Sequence, residues 1–277
     1  MMAEQRSAPE EPVQRYYAEL AEEEWARLDL HRTELGVTLR ALCEHLSPPP
    51  ARLLDCGGGP GRYAIELAGQ GYEVTLFDLS PECLQLGREK AGEAGVTLAG
   101  FEQGTAVDLS RFAAASLDAV LLLGPLYHLL EDEDRRRALR EVWRVLKPSG
   151  LLFAAFITRY AAIRYSAVHD PMWVLEDADR LETVLATGKL PGRRSGQPGF
   201  HAHYAHPTEV RPLVEGAGFE MITLLGVEGV ISMIEESVNE LDGAAWEAWL
   251  DLNYRLSADP SILGCVGHLL AVARKRC

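Results

Sequence analysis

The chain predicts an α/β fold, a doubly wound and mostly parallel sheet with helices on both faces, and three observations predict it. Apolar runs of strand length alternate with stretches of helical spacing. A glycine-rich turn, Asp55-Cys56-Gly57-Gly58-Gly59-Pro60-Gly61, joins the first apolar run to the helical stretch 62–68. The next apolar run ends in an acid, Asp78. A glycine turn at the carboxyl end of a parallel strand leaves backbone that no β-carbon shields. It sits at a helix N-terminus whose free N–H groups favour an anion, so it marks a ligand site.

Residues 1–12 are polar and proline-containing and read as a loose tail. Helical spacing over 14–28 and 32–46 predicts two helices, the second stopped by Pro48-Pro49-Pro50. Strands follow over 51–54 and 71–77. Ser80 before Pro81 starts a helix over 81–94, with Gly95 just past its end. A third strand is predicted over 96–102, and the nearly continuous apolar run 117–123 suits a strand buried on both faces. An amphipathic helix over 132–146, a turn at 147–150 and a strand over 151–157 complete this half. Pro207-Thr208-Glu209 starts another helix, Gly218 ends it, and 219–225 and 268–273 read as closing strands. Two long stretches, 158–205 and 226–267, exceed what connections need, and such loops are usually functional covers. The second holds a helical pattern over 234–254 with Trp246, Trp249 and Tyr254. Both read as a lid over a second substrate, and a subunit interface, hence a homodimer, is the other reading.

A chain of 277 residues suffices for one large α/β domain with insertions or for two small domains. Its formal charge of −14 repels phosphate backbones and anionic bilayers, which disfavours nucleic acid and membrane as partners. No apolar run approaches a membrane span, and no basic-then-apolar leader is read ahead of the first helix. The 5 cysteines include no CxxC pair and read as reduced thiols of a cytoplasmic protein.

Spacing narrows the ligand. The dinucleotide fingerprint wants glycines at its first, third and sixth positions, and from Gly57 the third is Gly59 but the sixth is Arg62. What fits instead is Asp-x-Gly-x-Gly-x-Gly, from Asp55 through Gly57 and Gly59 to Gly61. Asp78, at a strand end, can accept two hydrogen bonds from vicinal ribose hydroxyls, because Ser80 is the better helix cap and leaves it free.

This string resembles motif I of the class I S-adenosylmethionine-dependent methyltransferases of small-molecule type. The resemblance implies a Rossmann-like seven-stranded, mostly parallel sheet whose last strand runs antiparallel. It implies a single domain spanning 1–277, with N-terminal lid helices over 13–47, a cofactor-binding half over 51–157 and substrate-lid insertions over 158–205 and 226–267. It implies S-adenosylmethionine as cofactor, with Asp55, Gly57, Gly59 and Gly61 facing the methionine part and Asp78 and Leu79 at the ribose. The loop after the third strand would meet the adenine. There the family often has an acid and this chain has Thr105, so either Thr105 and the backbone of Ala106 serve, or Asp108 reaches in. Tyr16-Tyr17 and Trp25-Ala26-Arg27 resemble the family's lid helices, with Arg27 or the hydroxyl of Tyr17 as a partner for the methionine carboxylate.

The string Leu123-Gly124-Pro125-Leu126-Tyr127-His128 borders the transfer site in the family. Leu123 would touch the cofactor, Tyr127 would orient the acceptor, and His128 suits a general base or else packs under the following helix. Transfer is an in-line displacement that positioning and water exclusion alone can drive. The acceptor is expected to be a small molecule, planar or apolar, given Phe156, Tyr160, Tyr165, Trp173, Phe200 and Tyr204 in or beside the first insertion. Those rings equally suit the insertion's own core. His201, His203 and His206 invite a metal, but a lining or surface role fits their spacing better, and no metal is expected. Arg193-Arg194 reads as a solvated turn or a clamp for an acidic substrate. Two rivals stand beside methyl transfer: a nicotinamide-dependent oxidoreductase, and a non-catalytic S-adenosylmethionine-binding regulatory protein.

Overall fold

A strand that is apolar on both faces must be covered from both sides. In the computed structural model, which describes residues 10–190 and 200–276, the chain starts with α1 (Glu10–Glu19), α2 (Ala21–Leu30) and α3 (Arg32–His45). Strands and helices then alternate as β1 (Arg52–Cys56), α4 (Arg62–Gly69), β2 (Glu73–Asp78), α5 (Pro81–Glu93) and β3 (Gly100–Gln103). Next come β4 (Leu117–Leu122), the short α6 (Pro125–His128), α7 (Asp132–Val145) and β5 (Leu146–Thr158). The first insertion forms α8 (Ala161–His169), α9 (Trp173–Glu176), α10 (Ala178–Thr187), β6 (Lys189–Leu190) and β7 (Ala202–Ala205). After α11 (Pro207–Gly216) and β8 (Phe219–Gly226), the second forms α12 (Glu236–Asn239), α13 (Gly243–Leu256) and α14 (Pro260–Leu263) before β9 (His268–Lys275).

The main sheet runs β3-β2-β1-β4-β5-β9-β8, and β9 pairs antiparallel with both of its neighbours. The ribbon β6–β7 extends the end of β5, with Ile157 opposite Tyr204. Chain order reverses between β1 and β4, so the crevice that ligands favour in such sheets opens above the ends of these two strands. Alternation along the central strands builds two cores. Leu54, Val120, Leu122 and Leu152 pack with Leu139 and Val142 of α7 on one face. Leu53, Leu76, Leu121 and Phe153 pack with Val37 and Leu42 of α3 on the other.

The observed elements differ from expectation where long-range contacts decide. The helix expected over 14–28 is two, parted at Leu20, and α1 takes in part of the supposed tail, whose residues 1–9 lie outside the described ones. The pair Arg193-Arg194 also lies outside them. The turn at 147–150 is a bulge within the β5 register, since Leu117 faces Leu146 while Ala119 faces Leu151. The helix expected over 234–254 breaks between α12 and α13. His206 caps α11, its side chain accepting from the Thr208 N–H. No helix of the described residues is long and apolar enough to cross a membrane.

Phe153 is fully buried between β4 and β9, opposite Leu121 and Val272. Phe153→Ala is expected to cost about 3–5 kcal/mol in chemical denaturation, because the paired strands on either side cannot close the cavity.

Candidate functional site

The turn after β1 is held by backbone bonds: the Gly57 N–H donates to the Phe77 carbonyl at 2.7 Å and the Gly61 N–H to that of Gly58 at 2.9 Å. Gly57 has φ +69, and a Cβ there would sit 2.3 Å from Cγ of Pro125, so no side chain fits. Gly61 is the N-cap residue of α4. A cleft of about 1120 Å³, counting its open mouth, lies over the turn. Gly57, Gly58, Gly59, Asp55, Asp78 and Leu79 line its floor, while Gly61 shapes the turn without lining it.

Two carboxylates stand at the floor. Asp78 accepts from the Gly59 N–H and the Ser80 N–H, both at 2.8 Å, so it braces the loop as well as facing the cleft. Burial pushes it up to about 6 against those hydrogen bonds. Asp55 is buried beneath Gly58, and burial, then the charge of Asp78, push it up to about 7. The Ala64 N–H approaches Asp55 without reaching hydrogen-bond geometry, and neither carboxylate oxygen has a partner among the described residues. A buried, unpartnered carboxylate in a cleft wall favours a cation or a donor.

The N-terminal helices roof the cleft through Val13, Gln14, Tyr17, Glu24, Arg27 and Leu28. Two pins hold them down. Tyr17 donates its hydroxyl to Nε2 of His128 at 2.7 Å, because Nδ1 of that ring must donate to the His201 carbonyl at 2.8 Å. Arg62 bonds Asp29 at 2.9 Å and lies 4.7 Å over the ring of Trp25. Trp25 therefore packs on Arg62 and, unlike Tyr17, does not line the cleft. Spacing alone gave no sign that Glu24 and Gln14 line it.

At the far wall are Gly104, Thr105 and Ala106, whereas Asp108 is exposed and accepts from the Ser110 N–H at 3.0 Å. Leu123, Tyr127 and His128 close the end over α6. Burial lowers His128 to about 4, so with both ring nitrogens engaged it is neutral and a base only if Tyr17 moves away. Tyr127 is raised by burial and keeps its proton.

No described residue of either insertion lines the cleft, which differs from the lid expected of them. The first packs its own small core from Val184, Ala202 and Tyr204 with Ile157. Its Phe200 lies 5.9 Å from Tyr16, 5.2 Å from His128 and 6.5 Å from Tyr127. Phe156 is core, Trp173 is half-buried, and Tyr160 and Tyr165 are exposed. The second insertion buttresses α3: Leu250 sits against Gly36, Arg40 pairs with Glu247 and Asp251, and Tyr254 bonds Glu44.

Beyond Tyr127 lies a charged cluster that spacing did not reveal. Arg27 grips Glu34 with two bonds of 2.8 and 3.0 Å and Glu24 with a third of 3.1 Å. Nδ1 of His268 is 2.6 Å from Oε1 of Glu228 and 3.7 Å from Oε2 of Glu34. These residues come from α2, α3, the loop after β8 and the start of β9, so only the fold assembles them.

Residues 53–150 match a family model described as a methyltransferase domain. The ubiquinone/menaquinone biosynthesis C-methyltransferase of Nitrobacter hamburgensis is 32% identical over 216 residues, 73% of this chain and 79% of that protein. The tRNA 5-carboxymethoxyuridine methyltransferase of Escherichia coli O157:H7 is 27% identical over 237 residues, 85% of this chain and 84% of that protein. A solved S-adenosylmethionine-dependent methyltransferase from Methanosarcina mazei shares the fold, with a TM-score of 0.59 at 20% identity over 85% of this chain and 97% of that one. With a relative of that identity and coverage behind its glycine turn and strand order, this chain belongs to the class I methyltransferases, as an enzyme whose cofactor is S-adenosylmethionine.

Proposed function

We propose that the enzyme transfers the methyl group to a small, planar acceptor that loses a proton, and that the cleft residues hold the cofactor as follows. Asp78 takes the ribose hydroxyls on the lone pairs that Gly59 and Ser80 leave free, beside Leu79. Thr105 and the backbone of Ala106 meet the adenine, since Asp108 faces away. Gly57 and Gly59 border the methionine part, and Leu123 closes over it. Arg27 keeps two N–H groups beyond its three bonds to Glu24 and Glu34, enough for the methionine carboxylate, with Tyr17 alongside. The observation that carries the cofactor assignment is Asp55: its unpartnered buried carboxylate suits the cationic methionine end of the ligand. When bound, S-adenosylmethionine supplies an electrophilic methyl carbon on sulfur.

The protein's own part is positioning. Tyr17, latched to His128, roofs one end of the cleft, and an oriented site can supply several kcal/mol of the barrier. Support for a planar, partly apolar acceptor is the ring cluster of Tyr16, Tyr127 and Phe200 at the cleft end. The neighbouring helices α8 and α9 expose Tyr165, Val168, Val174 and Leu175. A tRNA nucleoside is the second reading, favoured by the likeness to the Escherichia coli enzyme and opposed by the charge of −14. Assaying release of the demethylated cofactor with phenols, hydroquinones and bulk tRNA tests both. Turnover with a planar hydroxyl compound is expected, and turnover with tRNA alone would replace the acceptor reading.

The acids give a pH dependence with a definite sign. Asp55 and Asp78 titrate at about 7 and about 6, above their unfolded values, so they oppose folding as pH rises and must be ionised to hold a cation or a ribose. Cofactor binding near pH 6 is then expected to release protons, and affinity to fall toward about tenfold per pH unit between 7 and 6 and toward about a hundredfold per unit below 6, where both acids are protonated. Titration calorimetry in buffers of different ionisation enthalpy measures this, and a buffer-independent heat would count against it. Asp78→Asn is expected to weaken cofactor affinity by about 1–3 kcal/mol while the fold persists, through loss of charge-assisted bonds. An unchanged isotherm would remove the ribose role.

A further inference from the structure

We propose that His268, held by Glu228, takes the proton from the methyl acceptor. This rests on the reading of an acceptor that loses a proton. The juxtaposition begins with topology: β9 runs antiparallel, so its first residue, His268, lies opposite Ile157 at the carboxyl end of β5. That is the same edge of the sheet as the cleft. The ring of His268 stands 6.4 Å from that of Tyr127, which lines the cleft, and a quarter of the His268 side chain is solvent-accessible.

Its orientation is fixed. Glu228 accepts from the Gly267 N–H at 3.1 Å and the His268 N–H at 3.0 Å, and its Oε1 lies 2.6 Å from Nδ1 of the ring. A carboxylate only accepts, so Nδ1 carries the proton and Nε2 presents a lone pair. Nε2 makes no hydrogen bond among the described residues. His128 is the reverse case, with both nitrogens spent on Tyr17 and His201.

In the step, a lone pair on the acceptor's heteroatom forms the bond to the methyl carbon, and the carbon–sulfur bond breaks with its electrons left on sulfur. The acceptor's proton passes to Nε2 of His268, then to solvent. The groups facing the ring are Glu228, Glu34 of α3, Arg27 of α2 and Tyr127 of α6, with the His31–Glu235 pair beside Glu34. Burial alone would lower His268, but Glu34 and then Glu228 outweigh it and Arg27, and its pKa lies above the ordinary 6.5. The base is neutral only above that value, so turnover rises with pH through it.

Two measurements test this. In protein saturated with the demethylated cofactor, nitrogen-15 NMR of His268 is expected to show the Nδ1-protonated tautomer, titrating above 6.5 in the native enzyme and lower in Glu228→Gln. The opposite tautomer, or a titration that Glu228→Gln leaves in place, overturns the proposal. With methoxyhydroquinone as acceptor, His268→Gln is expected to lower kcat by about a hundredfold or more and to abolish the alkaline rise, with cofactor affinity unchanged. Glu228→Gln should shift the rise rather than remove it, which a merely structural loss would not do. A native pH profile in folded His268→Gln overturns the proposal. If the native enzyme leaves methoxyhydroquinone untouched, that outcome counts against the acceptor reading, and the NMR result decides His268 by itself.

Discussion

Two carboxylates buried at the carboxyl ends of adjacent strands constrain everything around them. Asp55 and Asp78 stand where chain order reverses, each in a setting that penalises its charge. Asp78 is offset by N–H groups of Gly59 and Ser80, so the glycine loop exists in its present shape partly because an acid holds its open side. Asp55 has only the approach of the Ala64 N–H, short of a hydrogen bond, to offset its burial. A fold that keeps such a group has left a place for positive charge, the place where the proposed reading seats the methionine end of the cofactor. The turn, the strand order and the roof are arrangements around that place.

The roof explains why so much of the chain is not sheet. Helices α1 and α2 bury little of themselves: of their described residues only Leu28 is fully buried. They are held by polar contacts, Tyr17 to His128 and Arg62 to Asp29, on a base made firm by α3. An element held by a few hydrogen bonds opens at low cost, which a cleft that admits and releases a nucleoside requires. The second insertion then has a mechanical part, since α13 clamps α3 through Leu250, Arg40 and Tyr254.

Local spacing made the glycine turn, Asp78 and the strand rhythm legible, because a turn, a strand end and a cap each depend on neighbours in sequence. The antiparallel direction of the closing strand follows from the resemblance to the methyltransferases, not from spacing. The extra ribbon β6–β7 was not foreseen, since two-residue and four-residue strands leave no periodicity. What each insertion touches depended on partners far along the chain, so a lid was expected where α13 is a buttress. Asp108 and Thr105 were undecidable until the loop's direction was known. The histidines show the limit most clearly. The carbonyl that fixes the tautomer of His128 is 73 residues away, and the carboxylate that fixes His268 is 40 away.

Those two histidines also show how one side-chain type is sorted into two tasks. The sequence pattern pointed to His128 because it follows β4, yet burial without a counter-charge keeps it neutral and makes it a latch for Tyr17. His268 is partly exposed, and Glu34 and Glu228 supply the negative charge that lets it hold a proton, its free nitrogen being the one turned away from them. A base must accept a proton and be restored. An imidazole between two carboxylates can stabilise the cation it becomes, and an imidazole capped at both ends has no lone pair to give. Arg27 ties the two ends together, roofing the cofactor cleft while neutralising Glu34 behind it. The position of α2 therefore also sets the charge that His268 meets.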